Sequence, residues 1–150
     1  MRYDLLIADL TKQEELRHTV YDDATGESIN PGTVVVGHPT IGIGRAVDAV
    51  NGITTPEAVE LCVNDINTCV EQLSEFPFFA LLNDARQDAL IDIVFNMGIV
   101  HFKGFTRAIR ALAASDFKSA SVNFLDSKWA KQEPVRSKVL AEQLETGVRS

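Results

Sequence analysis

The residues of this chain that could do chemistry are carboxylates, and they occur as two adjacent pairs near the N-terminus. Glu14 and Glu15 fall at the end of a predicted first helix, and Asp22 and Asp23 fall at the start of a turn. Carboxyl groups on either side of a bond can act as general acid and general base if one stays protonated and the other ionised. Acidic pairs at helix ends are usually solvated surface, so residue type alone leaves both roles open.

Other reactive groups lack the arrangement that chemistry requires. His18, His38 and His101 are scattered without the spacing of metal ligands, and each is interpreted as a surface or turn histidine. Residues 42–44 (Gly-Ile-Gly) lack the third glycine and the helix of a dinucleotide-binding loop. No serine lies in a nucleophile elbow. The sequence therefore predicts no metal and no other cofactor.

Composition narrows the function classes further. The chain has 150 residues, 14 basic and 21 acidic, with a formal net charge of −7, which argues against a nucleic-acid partner. No apolar run reaches the roughly 18 residues needed to span a bilayer, and the N-terminal apolar patch, flanked by Asp4 and Asp9, does not resemble a secretion signal.

Cys62 and Cys69 lie about 10 Å apart along a predicted helix, too far for a disulfide. Both are predicted to be buried thiols of a reducing compartment.

The N-terminal third of the chain is predicted to carry the β-structure. Residues 3–18 have the apolar spacing of a helix. Residues 19–48 predict a small antiparallel sheet, with one strand over Thr33–Val36 and another over Pro39–Gly44. A sheet of this size is marginal alone, so it is expected to pack on helices.

Helical periodicity dominates after Gly52. Thr54 and Glu57 have the spacing of a capping box, and Pro56 fits the first turn of the helix that follows. Four further helices are predicted, at about 84–97, 104–114, 116–126 and 134–146. These elements predict a single α+β domain over 1–150, with a β-containing lobe at about 19–52. The helical lobe comprises about 53–150 together with helix 3–18, and the substrate cleft is expected between the two lobes.

The order of residues along the chain resembles the phage-type lysozymes, the bacteriophage endolysin muramidases. The N-terminal part of the resemblance consists of Glu14, Leu16-Arg17, Tyr21, Asp23, Gly26 and Thr40-Ile41-Gly42-Ile43-Gly44. The remainder consists of Arg86, Ala89-Leu90-Ile91, Val94-Phe95-Asn96-Met97-Gly98, Gly104-Phe105, Ala120, Val122-Asn123, Ser127-Lys128-Trp129, Gln132, Pro134, Arg136 and Thr146-Gly147. The resemblance covers essentially the whole chain, in the family's order, and implies a lysozyme-like fold.

The resemblance also implies an activity and its residues. Family members hydrolyse the β-1,4 bond between N-acetylmuramic acid and N-acetylglucosamine in peptidoglycan. Glu14 matches the general acid of the family, Asp23 the carboxylate of the sheet lobe, and Thr40 the hydroxyl that helps to hold water beside it. Positions that contact sugar in relatives match Ala46, Phe95, Ala108 and Asn123, and Arg136 matches an arginine that approaches the acid.

Two departures from the family pattern bear on these assignments. Sixteen residues separate Asp23 from Thr40, more than the compact family motif has, and residues 27–39 are expected to extend the hairpin. Glu15 stands where many members have glycine, which leaves two glutamates side by side.

Structural roles remain alternatives for several of these residues. Thr40 fits a strand residue, Phe95 fits the core, Trp129 a packing anchor, and Asn123 a backbone bridge. Glu15 and Asp22 are interpreted as solvated neighbours of the working carboxylates.

The resemblance implies a monomeric endolysin whose partner is the glycan strand of peptidoglycan, without membrane insertion. It would stay in the host cytoplasm until a separate holin-type membrane lesion let it reach peptidoglycan in the periplasm. The alternatives are a lytic transglycosylase, which needs the acid but no positioned water, and a catalytically inactive peptidoglycan-binding module.

Overall fold

The computed structural model describes residues 3–149, and its backbone contacts divide the chain into two compact units, one ending at Ala58 and the other beginning at Val59. The first unit holds helix α1 (Tyr3–Glu14), strands β1 (Leu16–Asp22), β2 (Pro39–Ile43) and β3 (Arg45–Ala46), and the start of α2 (Thr55–Leu73). The second unit holds the rest of α2, a short 3-10 helix (Phe79–Leu81), α3 (Asp84–Met97), α4 (Ile99–Lys103), α5 (Thr106–Ala113), α6 (Phe117–Leu125), α7 (Lys128–Gln132) and α8 (Pro134–Thr146). The predicted α+β class is confirmed.

Helix α1 ends one turn earlier than predicted. Glu15 adopts a left-handed backbone with a φ of 59°, which stops the helix after Glu14. Residues 16–18, predicted to be helical, begin strand β1 instead, where Leu16 pairs with Ile43 of β2. The prediction of a helix over 3–18 is therefore wrong at its C-terminal end, because pairing with a strand distant in sequence outweighs local apolar spacing.

The conformation of Glu15 predicts that Glu15→Gly stabilises the protein. A left-handed backbone destabilises a residue with a Cβ by about 1–2 kcal/mol, and glycine removes this strain. Glycine also has more conformational freedom in the unfolded chain, which offsets part of the stabilisation. We expect a net gain of about 0.5–1 kcal/mol, which raises the melting temperature by roughly 2 °C in a chain of this size. Thermal melts followed by circular dichroism measure it, with Glu15→Ala, which keeps the Cβ, as the unchanged control. A lower melting temperature for the glycine variant would contradict the prediction.

The sheet has three antiparallel strands in the order β1-β2-β3. Tyr21 of β1 lies opposite Thr40 of β2, which in turn lies opposite Ala46 of β3. The strand predicted at 33–36 does not form: this segment belongs to the long loop between β1 and β2, and the side chain of Val34 is 85% exposed. The β-branched run misled the prediction because its N–H groups do not enter a strand ladder; the N–H of Val36 donates to a side chain.

Several helices after residue 53 begin or end at the capping residues that the sequence predicted. The backbone N–H of Thr54 donates to the Glu57 carboxylate at 2.7 Å, so the predicted start of α2 is confirmed. The Asp116 side chain accepts from the N–H of Ser119 at the start of α6, and Gly147 ends α8 with a φ of 71°. Helices α4 and α7 were not predicted, since five residues are too few to show a helical period.

An apolar core fills the second unit. Its fully buried members include Leu73, Leu90, Ile93, Phe102, Leu112, Phe124 and Leu144. Trp129 is also buried and donates its indole N–H to the Asn96 side chain at 2.6 Å, so the predicted packing role is confirmed. No helix among residues 3–149 is both long enough and apolar enough to cross a bilayer.

The two cysteines differ in burial. Cys69 is buried as predicted, and burial raises the pKa of its thiol. The prediction for Cys62 is wrong: this thiol is exposed, because the buried residues of α2, Cys69 and Leu73, lie near its C-terminal end.

Candidate functional site

The loop residue His38 joins Asp23 to Thr40. Its N–H donates to Oδ1 of Asp23 at 2.6 Å, and its carbonyl accepts the backbone N–H of Asp23 at 3.1 Å. The same carbonyl accepts the hydroxyl of Thr40 at 3.0 Å. The sixteen residues between Asp23 and Thr40 therefore do not separate them in space, because His38 bonds to both.

The hydroxyl of Thr40 is fixed by the backbone. Its single proton is donated to the His38 carbonyl and not to Asp23. The oxygen of Thr40 keeps its acceptor sites. Thr40 is buried at 4% exposure, whereas Asp23 is exposed.

Asp22 is not the solvated neighbour that the sequence predicted. Asp22, the last residue of β1, is buried at 2% exposure, and its neighbour Tyr21 is also buried. Its carboxylate accepts three backbone N–H groups, from Val36 at 2.6 Å and from Ala24 and Gly37 at 2.9 Å. The bond from Val36 is the main cause that lowers the pKa of Asp22. With its oxygens occupied inside the unit, Asp22 is unsuited to touch a substrate.

Gly37 packs directly on the Asp23 side chain. A Cβ added at Gly37 would overlap Oδ1 of Asp23 and lie 2.7 Å from the Cβ of Ala24 and 2.9 Å from its backbone nitrogen. In the sequence, Gly37 lies between the two predicted strands, at 33–36 and 39–44, without any further signal. Its requirement for glycine comes from contact with a turn distant in sequence, which no local pattern reveals.

The two glutamates at the end of α1 differ in their backbone positions. The carboxylate of Glu14 lies against the turn between β2 and β3, where a Cβ added at Gly44 would be 2.9 Å from its Oε2. Glu15 is exposed as predicted and has already left the helix. The position held by glycine in many relatives is thus a left-handed position, which explains that preference.

Asp48 binds the side chain of His38. Its Oδ2 lies 2.8 Å from Nδ1 of His38, and its Oδ1 accepts the backbone N–H groups of Val50 and Asn51. The N–H of Asn51, followed by the His38 side chain, lowers the pKa of Asp48 to about 2. His38 and the other two histidines are exposed, as predicted.

Two of the predicted sugar-contacting residues line one cavity of the second unit. Ala108 of α5 and Asn123 of α6 border a polar cavity of about 240 Å³ together with Arg107 and Asp126. Asn123 donates its amide to the Ser119 carbonyl at 2.7 Å, which fixes the side chain and leaves its oxygen as an acceptor. The backbone bridge and a ligand contact are therefore compatible for Asn123.

The remaining predicted residues of the second unit lie near α3. Phe95 is 43% exposed, so it does not belong to the core, and it borders a cavity of about 290 Å³ together with Arg136. Arg136 forms an ion pair with Asp92, with Nε and Nη2 at 2.7 and 2.6 Å from the same oxygen. Ala46, which the sequence predicted as a sugar-contacting residue, belongs to the first unit and is half-buried opposite Thr40.

A metal site is not formed by the residues that the structure describes. Within 3–149, no group of three or more His, Cys, Asp or Glu side chains could hold an ion.

Comparisons with known proteins identify the family. The phage lysozyme family matches residues 11–145, which is most of the chain. The chain belongs to the phage lysozyme family. The resemblance is confirmed, and so, at the level of the family, is the predicted enzyme class of glycoside hydrolase.

Two relatives show how far the similarity extends. An endolysin of Salmonella phage P22 is 30% identical over 128 residues, covering 85% of this chain and 84% of the relative. A probable T4-type lysozyme of Dictyostelium discoideum is 25% identical over 99 residues. That match covers 63% of this chain, which spans 58% of the length of the relative.

Proposed function

We propose that this protein is an endolysin that hydrolyses the β-1,4 bond between N-acetylmuramic acid and N-acetylglucosamine in bacterial peptidoglycan. One observation carries the proposal: the exposed carboxylate of Asp23 and the buried hydroxyl of Thr40 are both bonded to His38, in a chain of the phage lysozyme family. The oxygens that would hold a nucleophilic water are thus fixed beside one another by the backbone.

The reaction needs a proton on the leaving oxygen and a nucleophile on the opposite face of the sugar. Glu14 supplies the proton as general acid. Asp23 accepts a proton from the attacking water, since His38 occupies its Oδ1 and leaves Oδ2 open. The Thr40 oxygen accepts the second hydrogen of that water, because its own proton is committed to the His38 carbonyl.

Sugar binding is assigned to four further side chains. Ala46 of the first unit would contact sugar beside Thr40, and Asn123 would offer its amide oxygen to an acetamido N–H. Phe95 would provide an apolar contact, for which its exposed ring is suited, whereas Ala108 is 0% exposed and would form only part of the wall of the polar cavity. Arg136, which pairs with Asp92, is assigned the role of the arginine that the family resemblance implies.

The protein would act as a monomer and without a cofactor. It would remain in the host cytoplasm until a holin-type lesion in the membrane gave it access to peptidoglycan in the periplasm. The P22 relative is named an endolysin, which supports this order of events.

A turbidity assay on permeabilised Gram-negative cells tests the activity, and mass spectrometry of the digested peptidoglycan tests the reaction. We expect clearing and products with reducing N-acetylmuramic acid ends. Anhydro-muramic products would establish a lytic transglycosylase instead. Binding to the wall without clearing would establish an inactive binding module.

The positioned water also predicts the stereochemistry. A water held between Asp23 and the sugar attacks from the face opposite the leaving group, so the configuration inverts. The first-formed reducing sugar is expected to be the α-anomer. Proton NMR spectra recorded before mutarotation measure the ratio of anomers. A β-anomer formed first would show retention and would remove the positioning role from Asp23 and Thr40.

A further inference from the structure

The buried carboxylate of Asp22 lies next to the proposed site, and the mechanism above does not use it. Its three donors come from two segments that are distant in sequence: Ala24 in the turn after β1, and Val36-Gly37 at the far end of the loop. Asp22 therefore fastens both ends of the loop between β1 and β2 to the end of β1.

The loop that Asp22 fastens has exposed valines near its far end. Val34 and Val36 are 85% and 73% exposed, so little apolar burial holds the chain there. Buried N–H groups without an acceptor are costly, and the Asp22 carboxylate supplies the acceptors for two successive groups. Bonds to a charged acceptor are also stronger than neutral ones. The backbone N–H groups of Val36 and Gly37 are thus both held by one side chain.

The residue after Gly37 is His38, whose N–H and carbonyl hold Asp23 and Thr40. Gly37 itself packs on the Asp23 carboxylate. Any shift of Val36-Gly37 therefore moves the donor that orients Asp23 and the surface against which its carboxylate rests.

We propose that Asp22 is a positioning residue for Asp23, because its buried carboxylate fixes Val36-Gly37 so that His38 holds the Asp23 carboxylate in one orientation. The proposal rests on the catalytic role of Asp23 in the proposed function. Asp22 touches neither substrate nor the attacking water, and it acts on the rate only through the placement of its neighbour.

We call the Asp22 carboxylate, together with the backbone N–H groups of Val36 and Gly37 that donate to it, the clamp. The first test alters the carboxylate of the clamp. In Asp22→Asn the side chain keeps its size, but its NH2 group must face either Val36 or the pair Ala24 and Gly37, where donor meets donor. We expect kcat on soluble, uncross-linked peptidoglycan strands to fall about tenfold or more while KM stays within about twofold, since binding groups are untouched. Asp116→Ala, which removes a carboxylate cap in the second unit, is the control: it lowers the melting temperature without changing kcat.

Removing the clamp from the backbone side is the second test, and it leaves Asp22 in place. Val36→Pro deletes the N–H that donates to Oδ2 of Asp22. Val34→Pro changes another exposed valine of the same loop, whose N–H has no acceptor among residues 3–149. We expect kcat to fall severalfold in Val36→Pro and to stay within about twofold in Val34→Pro. Equal kcat values for the two proline variants, or a wild-type kcat for folded Asp22→Asn, would overturn the proposal.

Two measurements separate this proposal from the proposed function. If Asp23→Asn retains kcat in the same assay, the catalytic role of Asp23 fails, and the positioning role of Asp22 falls with it. Amide hydrogen exchange in the wild-type protein reports the clamp itself without any activity. We expect Val36 and Gly37 to be protected although they lie outside the strands, and exchange at the rate of a free amide would show that the clamp is absent.

Discussion

Glu14→Gln is expected to abolish detectable lysis while the protein remains folded. General acid catalysis usually raises the reaction rate by about 10²–10⁴-fold. Because the glycosidic leaving group is poor without a proton, we expect the loss of rate to lie at the upper end of that range. Glutamine has the size of glutamate but cannot donate a proton at neutral pH. Because Glu14 is exposed at the end of α1, its replacement leaves no buried group without a partner. Turbidity of permeabilised cells gives the loss of activity, and circular dichroism melts exclude unfolding.

Glu15→Gln is the matched control, one residue along the chain. Glu15 is exposed, and its left-handed backbone has already left the helix, so its carboxylate has no part in the proposed chemistry. We expect its activity to stay within about threefold of wild type, as is usual for a surface change away from the reaction. If the Glu15 variant is inactive and the Glu14 variant active, the assignment of the N-terminal motif is shifted by one residue.

The helices after residue 53 were predictable because their signals are local. The capping box of Thr54 and Glu57, the cap at Asp116 and the glycine at 147 act within a few residues of their own helix. The end of α1 was not predictable from apolar spacing, since it depends on the pairing of Leu16 with Ile43. The valines at 33–36 likewise have strand propensity but no partner strand.

The residues of the candidate site were likewise predictable only where the signal lies in the order of residues along the chain. The resemblance pointed to Glu14, Asp23 and Thr40 by their order along the chain. It contained no information on how a long loop could leave Asp23 and Thr40 together, because that depends on Asp22 and His38, residues of ordinary surface type. Asp22 looks like a solvated aspartate in sequence and becomes a buried acceptor only when Val36 and Gly37 return to the end of β1.

The close packing of Gly37 gives the second large expected effect. Gly37→Ala places a methyl group on the Asp23 carboxylate and near the Ala24 backbone, so the loop or the carboxylate must move. Overpacking of this kind costs about 1–3 kcal/mol of stability, and a displacement of about 1 Å at a reacting group can cost roughly 10²-fold in rate. We expect Gly37→Ala to lose at least about tenfold in activity while it still folds.

Gly52→Ala is the control that isolates the steric cause. Neither glycine has a left-handed φ, and a Cβ added at Gly52 meets nothing within 4 Å, so the same chemical change there is expected to be silent. Initial rates of reducing-sugar release, measured below both melting temperatures, compare the two variants, and melts followed by circular dichroism give their stabilities. Equal rates for the two variants would show that the Asp23 carboxylate tolerates displacement, and the case for a water held by Asp23 and Thr40 would then fail. A selective loss in Gly37→Ala would tie the rate to the position of one carboxylate, since the two variants add the same single methyl group.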